Sequence, residues 1–286
     1  GGRWSVMAGR LVQLSGGRAL GVSGFGDALA QRAVVMCHPA PGGGGFDPDP
    51  TVSTHWGARI VGIDRPGYGA SDAWRAGEPP SFATHADDIA HYLSRIESST
   101  SRISAMELGP FGVVGWGLGG YAALALASRH PHLVDRVALV DVPDPGRVAR
   151  ERAPQPPFRV ADVGIAPAEP AFESTAAGRR IRRMLDAAAT QGAAGMQGDY
   201  AAAADDDWQR RLRDIRADVL LVYGDQHPTV DAHLDGRRLR RRLPRARVVR
   251  VEAGTGLSIT THWPSILNHV APRHGGVSPT LRDGAP

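Results

Sequence analysis

Along most of this chain, short apolar runs alternate with longer amphipathic stretches. Ala33-Val-Val-Met-Cys37 and Ala58-Arg-Ile-Val-Gly-Ile63 are too short for helices, and each stops at a loop rich in proline and glycine, which predicts buried strands. Phe111–Trp116, Arg136–Asp141, Val219–Gly224 and Arg247–Glu252 have the same form. Upstream, Arg10–Leu14 and Ala19–Ser23 flank Ser15-Gly-Gly and predict an opening hairpin. Between strands the period changes. After Ser81, a good N-cap, the residues Phe82, Ala86, Ile89, Ala90, Leu93 and Ile96 fall on one helical face. Leu118–His130 reads as a helix of small residues that can sit tightly on a sheet, and a last helix is expected near His262–Val270. This alternation predicts an α/β fold, with a mainly parallel sheet covered by helices on both faces.

The alternation stops between Asp141 and Val219. Pro154-Gln-Pro-Pro157 and Pro167–Pro170 flank irregular sequence, and helices are expected at Gly178–Thr190 and Asp206–Ile215. The expected organisation is a core over residues 10–141 and 217–272, a cap or lid insertion over 142–216, and flexible termini at 1–9 and 273–286. An insertion of that size at a sheet edge is where substrate selection usually lies. No internal repeat is visible.

Composition narrows the class. The 42% of hydrophobic residues, 36 glycines and 22 prolines suit a folded, loop-rich protein. No apolar run approaches the roughly 18 residues of a membrane span, and residues 1–10 have no apolar secretory segment. The single cysteine, Cys37, cannot form an internal disulfide, which fits a cytoplasmic protein, and it reads as a buried, inert thiol. All 33 basic residues are arginine. The densest run, Arg237–Arg250, has no interleaved aromatic residue on which bases could stack, and reads as a solvated helix face. No nucleic-acid or membrane partner is expected.

Candidate chemistry sits in the loops after the strands. Gly115-Trp116-Gly117-Leu118-Gly119 has the frame of the strand-to-helix turn G-x-S-x-G, with glycine where serine would stand. His38-Pro-Ala-Pro41 follows one buried strand and leads into Gly42-Gly-Gly-Gly-Phe-Asp-Pro-Asp-Pro50. Asp64-Arg-Pro-Gly-Tyr-Gly-Ala-Ser-Asp72 follows another, and Tyr223-Gly-Asp-Gln-His-Pro228 a third. In this order the motifs resemble the α/β-hydrolase fold superfamily, and within it the bacterial proline-iminopeptidase-like and esterase-like branch.

The resemblance implies an oxyanion loop at His38–Pro41, an acid position at Asp225, and a nucleophile position at Gly117. It places the histidine position at Gly256, within Val251-Glu-Ala-Gly-Thr-Gly-Leu-Ser-Ile259. In such enzymes the serine attacks, the histidine moves protons and the acid orients the histidine. Two of these three positions are glycine here, a degenerate triad. What survives such a loss is the roughly 10³–10⁴-fold acceleration of oxyanion stabilisation and binding, so a competent serine hydrolase is not expected. The N–H groups of Leu118 and Ala40 would remain as oxyanion donors, with Trp116 on the pocket wall and His38 bordering it as a ligand-binding candidate. His262, six residues after Gly256, is a candidate substitute proton carrier. Asp141 occupies the alternative acid position of some members and otherwise reads as a turn cap; His227 is expected to face solvent. No cofactor motif or metal-ligand spacing is present. The expected function is a pseudoenzyme that binds a small molecule with an apolar body and a carbonyl or carboxylate. The alternatives are a cofactor-independent lyase, isomerase or cyclase of secondary metabolism, and a weak hydrolase without a covalent intermediate.

Overall fold

A computed structural model describes residues 7–100, 110–166, 172, 174–205, 207–252 and 255–272. Its centre is an eight-stranded sheet of β1 (Met7–Gln13), β2 (Ala19–Gly26), β3 (Ala33–Cys37), β4 (Arg59–Ile63), β5 (Phe111–Trp116), β6 (Val134–Val140), β7 (Asp218–Gly224) and β8 (Ala246–Val251), in the order β1-β2-β4-β3-β5-β6-β7-β8. The pairings from β4 across to β8 are parallel, while β1 and β2 add an antiparallel hairpin at one edge. The central strands are short and apolar because helices cover both faces; every residue of β3 and of β5 is buried.

The chain runs outward from β3 to β4 and then returns to place β5 on the other side of β3. In open parallel sheets such a reversal leaves a crevice at the carboxyl ends of the strands, where ligands bind. The loops ending β3 and β5 are the His38–Pro41 segment and the Gly115–Gly119 turn, so topology alone brings these two motifs together.

Helices α1 (Pro50–Trp56), α2 (Phe82–Thr100) and α3 (Gly119–Arg129) follow β3, β4 and β5. In α3 the glycines and alanines allow close approach to the sheet, and residues 119–128 are all buried. Helix α1 lies in what reads in sequence as loop. Its local cause is Asp49, whose side chain accepts from the N–H groups of Thr51 and Val52, followed by Pro50 in the first turn.

Between β6 and β7 the insertion holds α4 (Pro145–Val148), α5 (Ala176–Ala188), α6 (Ala194–Ala204) and α7 (Asp207–Arg210). The single helix expected over Asp206–Ile215 is broken: α7 ends at Arg210 and a 3-10 turn covers Leu212–Asp214. Helix α6 went unpredicted because small residues bury it without a one-sided apolar stripe. The chain closes with α8 (Arg237–Arg240), α9 (Ser258–Thr261) and α10 (Trp263–Val270). The arginine run expected on one helix is divided between α8 and the edge strand β8. Residues 7–9, expected in a flexible tail, belong to β1; the rest of both expected tails, Pro167–Pro170 and Asp206 lie outside the described residues. Among those described, no helix is long and apolar enough to cross a membrane.

Candidate functional site

The turn from β5 into α3 keeps the backbone geometry of a nucleophile elbow. Gly117 has φ +54°, its N–H donates to Val140 O at 3.0 Å, and its carbonyl accepts from Gly120 N–H at 3.0 Å. The flanking glycines make the tight turn possible. A Cβ on Gly115 would lie 2.5 Å from Gly120 Cα, and one on Gly119 would lie 2.3 Å from the carbonyl oxygens of both Cys37 and His38. At Gly117 itself there is room: the nearest atom to a Cβ would be Pro39 Cβ at 3.5 Å. The backbone turn at Gly117 is therefore tight and its outward face is open.

Above Gly117 lies a cavity of about 100 Å³, with Pro39, Ala40, Trp116 and Leu118 on the sheet side and α4, α6 and the Val160–Val163 turn of the insertion on the other. Among the described residues, no acceptor takes the backbone N–H of Leu118 or of Ala40. Both residues line the cavity, and Leu118 caps an eleven-residue helix whose dipole favours negative charge there.

Three acids line this cavity, Asp141, Glu151 and Asp162, and of these only Asp141 ends a core strand; Asp225 is not among them. Asp225 follows β7 as expected, but it is exposed and does not line the cavity. Asp141 ends β6, is 2% exposed and has φ +48°, the one non-glycine residue with positive φ among those described. Its neighbourhood holds it there. Asp141 N–H donates to Val222 O at 2.9 Å, and its Oδ1 accepts from Gly224 N–H at 2.9 Å. The next two residues are pinned from below, since Tyr223 Oη donates to Val142 O at 2.8 Å and Tyr121 Oη to Pro143 O at 2.9 Å. Asp141 Oδ2 has no hydrogen bond of normal geometry. Burial raises the Asp141 pKa to about 6, with the Gly224 N–H and the nearby Ser258 hydroxyl opposing the shift.

This shift predicts a stability change. Between pH 3.8 and about 6 the folded protein holds a proton that the unfolded chain releases, so stability falls as pH rises through that window. Asp141→Asn keeps the acceptor for Gly224 and removes the buried charge. It is expected to stabilise the protein by about 2–3 kcal/mol at pH 7.5 and by little at pH 4. Urea unfolding at the two pH values measures the difference, and an equal effect at both would contradict it.

The histidines do not converge as a triad would need. His38 is 1% exposed and lies outside the cavity, with both ring nitrogens occupied. Its Nδ1–H donates to Pro39 O at 2.7 Å and its Nε2 accepts from Arg65 N–H at 3.0 Å. Burial and the adjacent Arg65 charge hold its pKa well below the usual imidazole range. It ties the loop after β3 to Arg65 and does not line this cavity. His262 lies between α9 and α10, with its Nδ1 2.9 Å from Thr261 Oγ1, and it does not reach the cavity. His227, expected in solvent, is half-buried and lines the cavity. Its Nδ1 accepts from the N–H groups of Thr229 and Val230 at 3.2 and 3.0 Å, leaving the proton on Nε2. Burial lowers its pKa to about 4, so it stays neutral and is a donor rather than a base. Its position within an exposed-looking Gln-His-Pro loop gave no signal in sequence.

Gly256 has φ +70°, and the backbone of the insertion fills the space where its side chain would project. A Cβ there would lie 2.6 Å from Gly164 C and O and 2.8 Å from Val163 O. A side chain at Gly256 is thus blocked by the backbone of the insertion.

A buried network fastens the insertion beneath the cavity. Arg65 is 1% exposed; its Nε and Nη2 reach Asp199 of α6 at 2.9 and 2.7 Å, and Tyr68 Oη donates to Asp199 Oδ2 at 2.8 Å. Arg65 Nη2 also donates to Pro39 O at 2.9 Å, and Nη1 to His38 O. One guanidinium therefore ties the loop after β3 to the insertion. Cys37, at the end of β3, is buried with its thiol pKa raised to about 12, mainly by burial, which leaves it unreactive. No group of three or more metal-ligating side chains gathers among the described residues.

The sequence pattern of the alpha/beta hydrolase fold family matches residues 32–182, and this chain belongs to that family. No curated protein sequence matches it. Among solved structures it is similar to a hydrolase from Pseudomonas aeruginosa PA01, with TM-score 0.68 and 18% identity over 92% of this chain and 98% of the other. An esterase from Exiguobacterium antarcticum superposes with TM-score 0.66 and 18% identity, over 90% and 96% of the two chains. The enol-lactonase from Burkholderia xenovorans LB400 gives 0.64 and 18%, over 89% and 95%. At this identity the likeness is one of fold.

Proposed function

We propose that this chain is a small-molecule-binding member of the α/β-hydrolase family from which covalent acyl transfer has been lost. In this reading the β6–β7 insertion acts as a lid, and the site holds a carbonyl or carboxylate oxygen against the N–H groups of Leu118 and Ala40. The carrying observation is the pairing of an intact, open elbow at Gly117 with a histidine position covered by lid backbone. Its esterase-like ancestry and cytoplasmic location belong to the same reading, resting on sequence motifs and on the single cysteine.

The cavity limits the ligand. At about 100 Å³ it is smaller than the ~300–1,000 Å³ of usual small-molecule pockets, so it takes a small body unless the lid opens. Its wall is mixed: Trp116, Leu118, Val148, Val163 and Val230 offer apolar surface, beside Arg147 and the acids Asp141, Glu151 and Asp162. A second reading, a cofactor-independent lyase, isomerase or cyclase, is favoured by Asp141: a carboxyl of raised pKa at the wall of a site with oxyanion donors is what proton transfer next to a carbonyl requires. The weak-hydrolase reading loses support, since neither Asp225 nor His262 reaches the cavity.

Two measurements test the first reading. A fluorophosphonate probe is expected to leave the protein unlabelled, and p-nitrophenyl acetate to hydrolyse at the background rate. Short carboxylates and carbonyl compounds such as acetoacetate, benzoate and benzamide are expected to raise the melting temperature where hydrocarbons of the same size do not, by up to about 2.7 kcal/mol of stabilisation at a hundred times Kd. Stoichiometric labelling by the probe would overturn the proposal, and so would indifference to every carboxylate and carbonyl compound.

A further inference from the structure

Four clefts adjoin one another around the β8 edge of the sheet, away from the Gly117 cavity. The first lies between α8 and β8 and is lined by Arg237, Arg240, Arg247 and Arg250. It shares Arg237 and Arg240 with a second, which shares Arg241 with a third, which shares Arg213 with the last, beside the Leu212–Asp214 turn. Together they are lined by twelve arginines and a single acidic residue, Asp214. Over the whole chain the balance is 33 basic to 29 acidic residues. The absence of lysine explains why these cations are arginines; it does not explain why acids are excluded from this band.

Local pairing does not neutralise the band. Arg129, Arg210 and Arg245 meet acids at its rim, Asp87, Asp207 and Asp218, at 2.7, 4.0 and 3.9 Å. The other nine make no ion pair among the described residues. Protection of the edge strand against strand pairing accounts for charges on β8, at Arg247 and Arg250, but not for those on α8 or near residues 210–216. The four clefts hold no Phe, Tyr or Trp, and their one ring, His233, has its Nε2 3.1 Å from Arg250 Nη1, so charge dominates what is read there.

We infer that this band is a docking surface for a linear phosphate polymer, inorganic polyphosphate, whose chain follows the linked clefts. A narrow, flexible chain can enter successive clefts and place a phosphate against each guanidinium, which binds it through paired N–H donors. A duplex, being wide and stiff, would touch only the rim. Attraction of this kind works through counterion release and weakens steeply with salt.

The test is fluorescence anisotropy with end-labelled inorganic polyphosphate, titrated with the full chain at several salt concentrations. Binding is expected to exceed that of orthophosphate at equal phosphate concentration by at least a hundredfold, with log K falling against log salt. The exposed triple variant Arg237→Gln, Arg241→Gln, Arg247→Gln is expected to bind at least tenfold more weakly and to flatten the salt slope by about 2, at ~0.7 per contact as for a single strand. An unchanged variant, binding no tighter than orthophosphate, or tighter binding of a duplex DNA of equal charge would each overturn the inference.

Discussion

Asp199→Ala is expected to destabilise the protein by about 3–5 kcal/mol, the usual cost of removing one partner from a buried ion pair. Asp199 is 5% exposed and Arg65 1% exposed, so water cannot replace the lost carboxylate. The substitution would leave a buried guanidinium facing only the carbonyls of His38 and Pro39, and the Tyr68 hydroxyl would lose its acceptor Oδ2. Asp199→Asn keeps an oxygen for Tyr68 and removes only the charge, so its cost should be smaller. Because the same carboxylate joins α6 to the loop after β3, proteolysis within residues 142–216 should quicken in Asp199→Ala before global unfolding does. Denaturant unfolding and limited proteolysis measure both effects. A loss below about 1 kcal/mol would mean that the pair behaves like an exposed one.

Gly256→His, which under the proposed reading would return a triad histidine, is expected to cost several kcal/mol and to confer no esterase activity. A non-glycine residue at φ +70° costs roughly 1–2 kcal/mol by itself. The added Cβ would also meet the Gly164 backbone at 2.6 Å, and that backbone cannot rotate away as a side chain end could. Gly117→Ser differs: only the strain of φ +54° opposes it, because the space above is open. The double variant should therefore fold less well than Gly117→Ser alone and should hydrolyse p-nitrophenyl acetate no faster. Turnover in the double variant well above that of the single one would show that the Val163–Gly164 turn yields readily, and would weaken the covered-site argument.

Both expectations depend on what the insertion does, and that was the least legible part of the chain. Helix α6, which carries Asp199, has no apolar periodicity to reveal it. Nothing in the sequence of Val163-Gly164 says that this turn lies over residue 256, ninety-two positions away. Asp141 and Asp225 both end strands in sequence, and only burial separates them: one lines the cavity at 2% exposure while the other is exposed. His227, expected in solvent, lines the cavity, and His38, expected at its border, is buried outside it, for the same reason. Solvent access depends on which elements cover a loop, and no local pattern encodes that.

The sequence by itself determined the sheet, the strand-to-helix turn at Gly115–Gly119 and the absence of a hydroxyl at Gly117. Each follows from local causes: hydrophobic period, the small residues needed for a tight turn, and the identity of one side chain. The tertiary structure alone decided which acids line the cavity, which histidine lines it, and that the position at Gly256 is covered. Those are consequences of long-range packing, in which the Arg65–Asp199 pair and the Val163–Gly164 turn bring distant segments over a site whose frame the local sequence had already drawn.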